Sequence, residues 1–136
     1  DGALVVWLGM PPTPPGEGLE EGRVVLNRLY GETAENRPGV VYRSTDALLG
    51  DAIGAFKRVL PGVDGRLAQV RKIRDGRDDG HLCPAGAALI GQLVYLTVGT
   101  YHPLPAQAPG WWSAEWIGND RYEDPPGGCF GGGVTG

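Results

Sequence analysis

Residues 77 to 87 read RDDGHLCPAGA, and this stretch concentrates the acid–base chemistry of the chain. Asp78 and His81 stand three apart, a spacing that on a turn leading into a helix lets the carboxylate reach one imidazole nitrogen. Such a contact fixes the tautomer, stabilises the imidazolium and leaves the other nitrogen free to take a proton from a serine hydroxyl. The relay needs a third member, because a D-x-x-H spacing alone also serves surface contacts and helix starts.

Other chemistries compete for the same residues. Asp75, Asp78, Asp79 and His81 form a dense set of metal-ligand types, but calcium loops want alternating oxygens around a glycine and structural zinc wants four Cys/His ligands. Neither pattern is met, so no metal and no cofactor are expected. Cys83 lies two residues from His81 and offers a thiol, although a disulfide suits it better. Ser44 ends a β-branched run but lacks the flanking glycines of a nucleophile turn, and Ser44-Thr45-Asp46 reads more simply as a helix N-cap. Trp111, Trp112, Trp116 and Tyr122 present either a sugar-stacking platform or, more simply, rings that pin an irregular arm. The charges of Arg71-Lys72-Ile73-Arg74 read by default as a solvated loop face.

The elements that must position these groups follow from hydrophobic period. LVVWLGM is continuously apolar and stops at PPTPP, the pattern of an interior strand buried on both faces. Residues 19–37 open with acids and place Leu19, Gly22, Leu26, Leu29 and Tyr30 on one side of a crossover helix. GVVYRST gives a second strand, and residues 47–60 place Leu49, Ile53, Phe56 and Leu60 at helical spacing. This alternation argues for an α/β layer with parallel strands. Residues 61–80 are turn-rich and read as an extended excursion; Pro84 then opens a helix that is apolar nearly all round and should pack deep. Residues 1–102 thus make an α/β unit, and 103–136 an irregular Trp-, Gly- and Pro-rich arm.

Totals narrow the partners. A net charge of −4 with no basic stripe excludes a phosphate-neutralising surface, so nucleic acid is not expected. No apolar run reaches the ~20 residues of a membrane span. The only methionine is Met10, which points to a piece of a longer, processed protein. Cys83 and Cys129 suit a single disulfide in an exported protein or two buried thiols; the Gly-rich setting of Cys129 favours the disulfide, and with it an extracytoplasmic location.

In DGRDDGHLCPAGAALIGQLV the Asp–His pair is followed by H-L-x-P-x-G-A and a terminal helix, and it comes after a strand ending in G-M-P-P, a helix and a second strand. Over residues 3 to 98 this order resembles the second half of the SGNH (GDSL-like) hydrolases, in particular actinobacterial and acyltransferase-linked members. The resemblance implies a three-layer α/β/α flavodoxin-like fold with a parallel sheet. It also implies serine-dependent ester hydrolysis or O-acyl transfer, with His81 as general base and Asp78 orienting it. The substrate would be an acylated extracytoplasmic carbohydrate or a small ester. The family's G-D-S serine block, oxyanion-hole glycine and G-x-N-D block have no counterpart here before the G-M-P-P strand, and I-G-N-D at 117–120 lies on the wrong side of the histidine. Two strands also make too small a sheet to cover these helices. The missing parts would come from an N-terminal half of the same domain or a companion chain. A catalytically inactive structural or binding module on the same scaffold is the alternative. Asp79 stands where the family usually has glycine, and family spacing assigns the orienting role to Asp78.

Overall fold

The computed structural model describes residues 2–113 and 127–129. Its first unit is strand–helix–strand: Val5–Leu8 (β1), Glu20–Glu35 (α1) and Val40–Arg43 (β2). β1 and β2 are parallel, in register from Val5 opposite Val40 to Leu8 opposite Arg43. Parallel neighbours need a crossover of a dozen or more residues, which α1 supplies. Glu20 and Glu21 sit in its first turn, at the positive end of the helix dipole. The chain is therefore α/β with a parallel strand pair.

Two expectations for this unit are corrected. β1 is not buried on both faces: Val5 is half exposed, and among the described residues β1 pairs only with β2. The inner face of α1 is also not the apolar one. The helix buries Arg23, Asn27 and Ala34 and stacks Tyr30 on Trp7 with ring centroids 4.7 Å apart, while Leu19, Leu26 and Leu29 face outward. The backbone of the loop after β1 needs hydrogen-bond partners, and Arg23 and Asn27 on the inner face of α1 supply some of them.

The helix expected over 47–60 is limited to Asp46–Leu49 (α2). Gly50 then turns extended, because a Cβ there would run into the carbonyls of Asp46 and Ala55, and Gly54 takes φ +79°. Asp51 Oδ1 accepts the amides of Ile53 and Ala55, a local alternative to helical hydrogen bonds. The excursion over 61–80 is likewise corrected to two antiparallel hairpins. Val59–Pro61 (β3) pairs with Leu67–Gln69 (β4), and Arg71–Arg74 (β5) pairs with Arg77–Leu82 (β6). Asp75 and Gly76 close the second hairpin with φ of 50° and 72°, the left-handed pair that a two-residue hairpin turn requires.

Pro84–Tyr101 (α3) starts at its proline. It buries Gly86, Ala88, Leu89 and Thr97 but leaves Leu96 and Tyr101 exposed, so it lies on the surface of the domain rather than deep within it. The core joins Leu49 of α2, Val70 and Leu89 of α3, flanked by Leu60, Leu82 and Ile90. Beyond α3, Tyr95 donates its hydroxyl to the Pro105 carbonyl at 2.6 Å, and the Trp111 ring lies against Gly91. Trp116, Tyr122 and residues 117–120 lie outside the described residues.

Candidate active site

The loop after β1 is the platform of the site. Its prolines supply no amide donors, so its carbonyls draw on side chains from elsewhere. Asn27 Oδ1 accepts the Met10 amide at 2.8 Å, while Asn27 Nδ2 and Arg23 Nη1 donate to the Met10 carbonyl at 2.9 and 3.1 Å. Thr45 Oγ1 donates to the Gly9 carbonyl, and Thr13 donates its amide and hydroxyl to Glu20. Arg23 pairs with both Glu20 and Asp46. Its guanidinium, assisted by Thr13 and opposed by partial burial, holds the Glu20 carboxyl down to about 2. These ties fix the loop at the carboxyl ends of β1 and β2, the edge where open α/β sheets bind ligands.

His81 comes to this platform on β6. Between Asp78 and Leu82 three residues of β6 stand opposite Lys72 alone, so regular alternation does not govern this stretch and a local side-chain-to-backbone turn sets the neighbour of His81. Asp79 is accordingly the carboxylate beside His81: its Oδ1 accepts the His81 backbone amide at 2.8 Å and contacts ring Nδ1. Asp79 Oδ2 pairs with Arg74 Nε at 3.1 Å. Burial pushes the Asp79 carboxyl up, but the His81 amide, the His81 ring and Arg74 outweigh it, and the net direction is down. Asp78 points instead to Arg58, whose Nε donates to it at 2.6 Å. The site thus brings His81 together with Asp79, and holds Asp78 in a separate ion pair. The difference arises because Asp79 closes onto the His81 amide within an irregular stretch of β6, where the sequence suggests a turn leading into a helix.

The His81 side chain is 57% exposed and that of Asp79 only 12%. A ring whose Nδ1 faces a sheltered carboxylate keeps Nε2 for proton transfer, the base half of a nucleophile–base–acid relay. Among the described residues no hydrogen bond joins a serine to His81. Ser44 is exposed and its Oγ accepts the Asp46 amide at 3.2 Å, a turn contact at the start of α2. Cys83 is bonded to Cys129, which removes the thiol alternative. Among the described residues no three His, Cys, Asp or Glu side chains gather closely enough to hold a metal ion. No helix among them is long and apolar enough to cross a membrane.

Three participants escape a reading of the sequence. Arg71, expected on a solvated face, is fully buried, with Nη1 on the Gly80 carbonyl at 2.6 Å, Nη2 on the Pro12 carbonyl at 3.0 Å and the Phe56 ring 5.4 Å away. Burial lowers its pKa to about 10, which leaves it charged at neutral pH. Glu17 accepts the Gly80 amide at 3.1 Å. Arg23 sits under the loop from α1. For the two arginines the proline-rich loop is the signal, since a segment poor in amide donors draws donors from elsewhere to its carbonyls; Glu17 carries no comparable signal.

Comparison with known proteins gives one assignment. No curated protein and no solved structure matches the chain significantly. The family model DUF459, described as a protein of unknown function, matches residues 1–97, most of the chain. The chain belongs to the DUF459 family.

Proposed function

We propose that this chain carries the histidine–carboxylate end of a serine-dependent ester hydrolase or O-acyltransferase acting on an extracytoplasmic carbohydrate. The observation that carries this reading is the exposed His81 ring with Nδ1 against the sheltered Asp79 carboxylate, set beside a loop at the carboxyl ends of parallel strands. DUF459 is a family associated with SGNH-like hydrolases, which supports the same chemistry. The Cys83–Cys129 disulfide is of a kind more typical of extracytoplasmic proteins.

His81 Nε2 removes the hydroxyl proton of the nucleophilic serine as its oxygen attacks the ester carbonyl carbon. The imidazolium, steadied by Asp79, returns that proton to the leaving alcohol and an acyl-enzyme remains. Water or a sugar hydroxyl then gives its proton to His81 as its oxygen attacks the acyl carbon, and as the bond to the serine breaks the imidazolium returns that proton to the serine oxygen, regenerating the hydroxyl. The serine and the oxyanion donors belong, in this reading, to an N-terminal half of the same flavodoxin-like domain or to a companion chain. The edge of β1 that pairs with no other strand among the described residues, and the outward Leu26 and Leu29 of α1, offer that half a sheet edge and a helix face to cover.

The test is ester turnover together with fluorophosphonate labelling, read by intact mass, in the complete protein. His81→Ala should lower turnover by about 10³-fold or more and slow the labelling of a serine outside these residues. Near-normal turnover in His81→Ala excludes the role given to His81. A complete protein that neither turns over esters nor takes label favours the inactive binding module.

A further inference from the structure

His81 lies where the β5–β6 ladder gives it least support. Arg71 is paired with Leu82 and Ile73 with Asp78, so residues 79, 80 and 81 bulge opposite Lys72 alone. Bulges re-aim side chains, but a bulged segment loses the regular cross-strand hydrogen bonds that would hold it. At Gly80, the residue before His81, both backbone groups are taken by side chains instead. Glu17 accepts its amide at 3.1 Å and Arg71 donates to its carbonyl at 2.6 Å. The second arm of the Arg71 fork donates to Pro12 at 3.0 Å, so one guanidinium sets the spacing between the proline loop and the bulge. Arg71 is fully buried and its Nε has no hydrogen-bond partner among the described residues. Burying a cation with one donor unpaired opposes stability. The fork geometry is what an apolar residue, or a lysine, does not reproduce.

We infer that Arg71 and Glu17 are positioning residues for His81: they clamp the Gly80 peptide from both sides and lock the histidine bulge to the loop after β1. The structural part of this inference stands on geometry alone; its catalytic consequence rests on the reading of His81 as the base.

The experiment is nitrogen-15 NMR of the full chain, following the neutral tautomer of His81 with His102 as the internal reference. Glu17 is exposed, so Glu17→Ala should leave the fold intact. Arg71→Lys keeps the charge and loses the fork. In both variants the Nδ1–H tautomer held by Asp79 should lose most of its excess and drift toward the Nε2–H form favoured by free imidazole, with His102 unchanged. In the complete protein kcat should fall tenfold or more with KM within twofold. If faster Gly80 amide exchange shows the Glu17 bond gone while the His81 tautomer stays at its wild-type value, the positioning role is overturned, even should Arg71→Lys fail to fold. A tautomer that moves as expected while His81→Ala retains turnover upholds the clamp and rejects the hydrolase reading instead.

Discussion

Replacing Cys129 by serine should remove one of the larger single contributions to the stability of this chain. The bond joins Cys83, 1% exposed at the N-cap of α3, to a residue 46 positions along the sequence. In the chain-entropy model, opening a loop of that length returns roughly 13–14 cal/mol/K to the unfolded ensemble, or about 4 kcal/mol at 25 °C. The tail is also held by the Gly128 carbonyl, which accepts the Ile73 amide at 2.9 Å and the Gln69 side-chain amide at 2.7 Å. Those bonds depend on the bridge to keep the tail close. The Cys83 thiol left behind behaves as a small apolar group in a buried site, so repacking adds little. In urea, with a slope of about 2 kcal/mol/M, the unfolding midpoint should drop by about 2 M. A shift below about 0.5 M, in a wild-type sample shown by thiol titration to be oxidised, would refute the reasoning. It would mean that the unfolded chain is no less constrained without the bridge.

Asp79→Asn should lower ester turnover in the complete protein by about 10³-fold or more and Asp78→Asn by less than tenfold, because only Asp79 reaches the His81 ring. The opposite ranking, read from kcat of the two variants, would return the orienting role to Asp78. Acid unfolding tests Glu20, whose pKa lies at about 2 in the folded chain against 4.5 as the reference. A depressed carboxylate contributes stability that is present above about pH 4.5 and lost as pH falls toward 2. The side chain is 45% exposed, so screening reduces that contribution to about 1 kcal/mol, and Glu20→Gln should flatten the pH dependence of stability across this window. Gly86→Ala should destabilise by about 1–3 kcal/mol in thermal or urea unfolding, since a Cβ there would run into the Val70 carbonyl under α3. An unchanged midpoint would show that α3 can shift away from Val70, between β4 and β5, without loss.

Elements defined by continuous apolar runs were legible in the sequence. β1, β2 and the crossover helix follow from LVVWLGM, GVVYRST and the acids before α1, and Pro84 marks the start of α3. Period alone misleads where a competing local interaction exists. Leu49, Ile53, Phe56 and Leu60 keep helical spacing, yet Asp51 and the glycines at 50 and 54 break the helix, and Ile53 ends 89% exposed. The facing of α1 is hidden for a different reason. Arg23 and Asn27 point inward because the carbonyls of the neighbouring loop need them, a demand that the helix sequence does not carry. The same limit governs the site: His81 stands out by type, whereas the identity of its carboxylate depends on the local path of residues 78–82, which enter a hairpin strand with an irregularity at 79–81 and not a turn into a helix. The Asp75-Gly76 hairpin signal decides that in favour of a strand.

The stretch PPTPP links these observations. Pro11, Pro12, Pro14 and Pro15 have no amide hydrogen, so the loop from Met10 to Pro15 presents carbonyls with few donors of its own. Two arginines answer that imbalance from opposite sides: Arg23 of α1 reaches the Met10 carbonyl and Arg71 of β5 reaches the Pro12 carbonyl, both with side chains almost wholly withdrawn from solvent. Arg23 is compensated by Glu20 and Asp46, and hydrogen bonding to Glu20, set against burial, raises its pKa. For Arg71 the balance is reversed, burial outweighing the more distant Glu17, and its pKa falls. The loop is therefore held rigidly to the α1 side and under greater electrostatic demand on the His81 side. One border is fixed by a compensated ion-pair network, and the other by the Arg71 fork together with the Glu17 bond to the Gly80 amide.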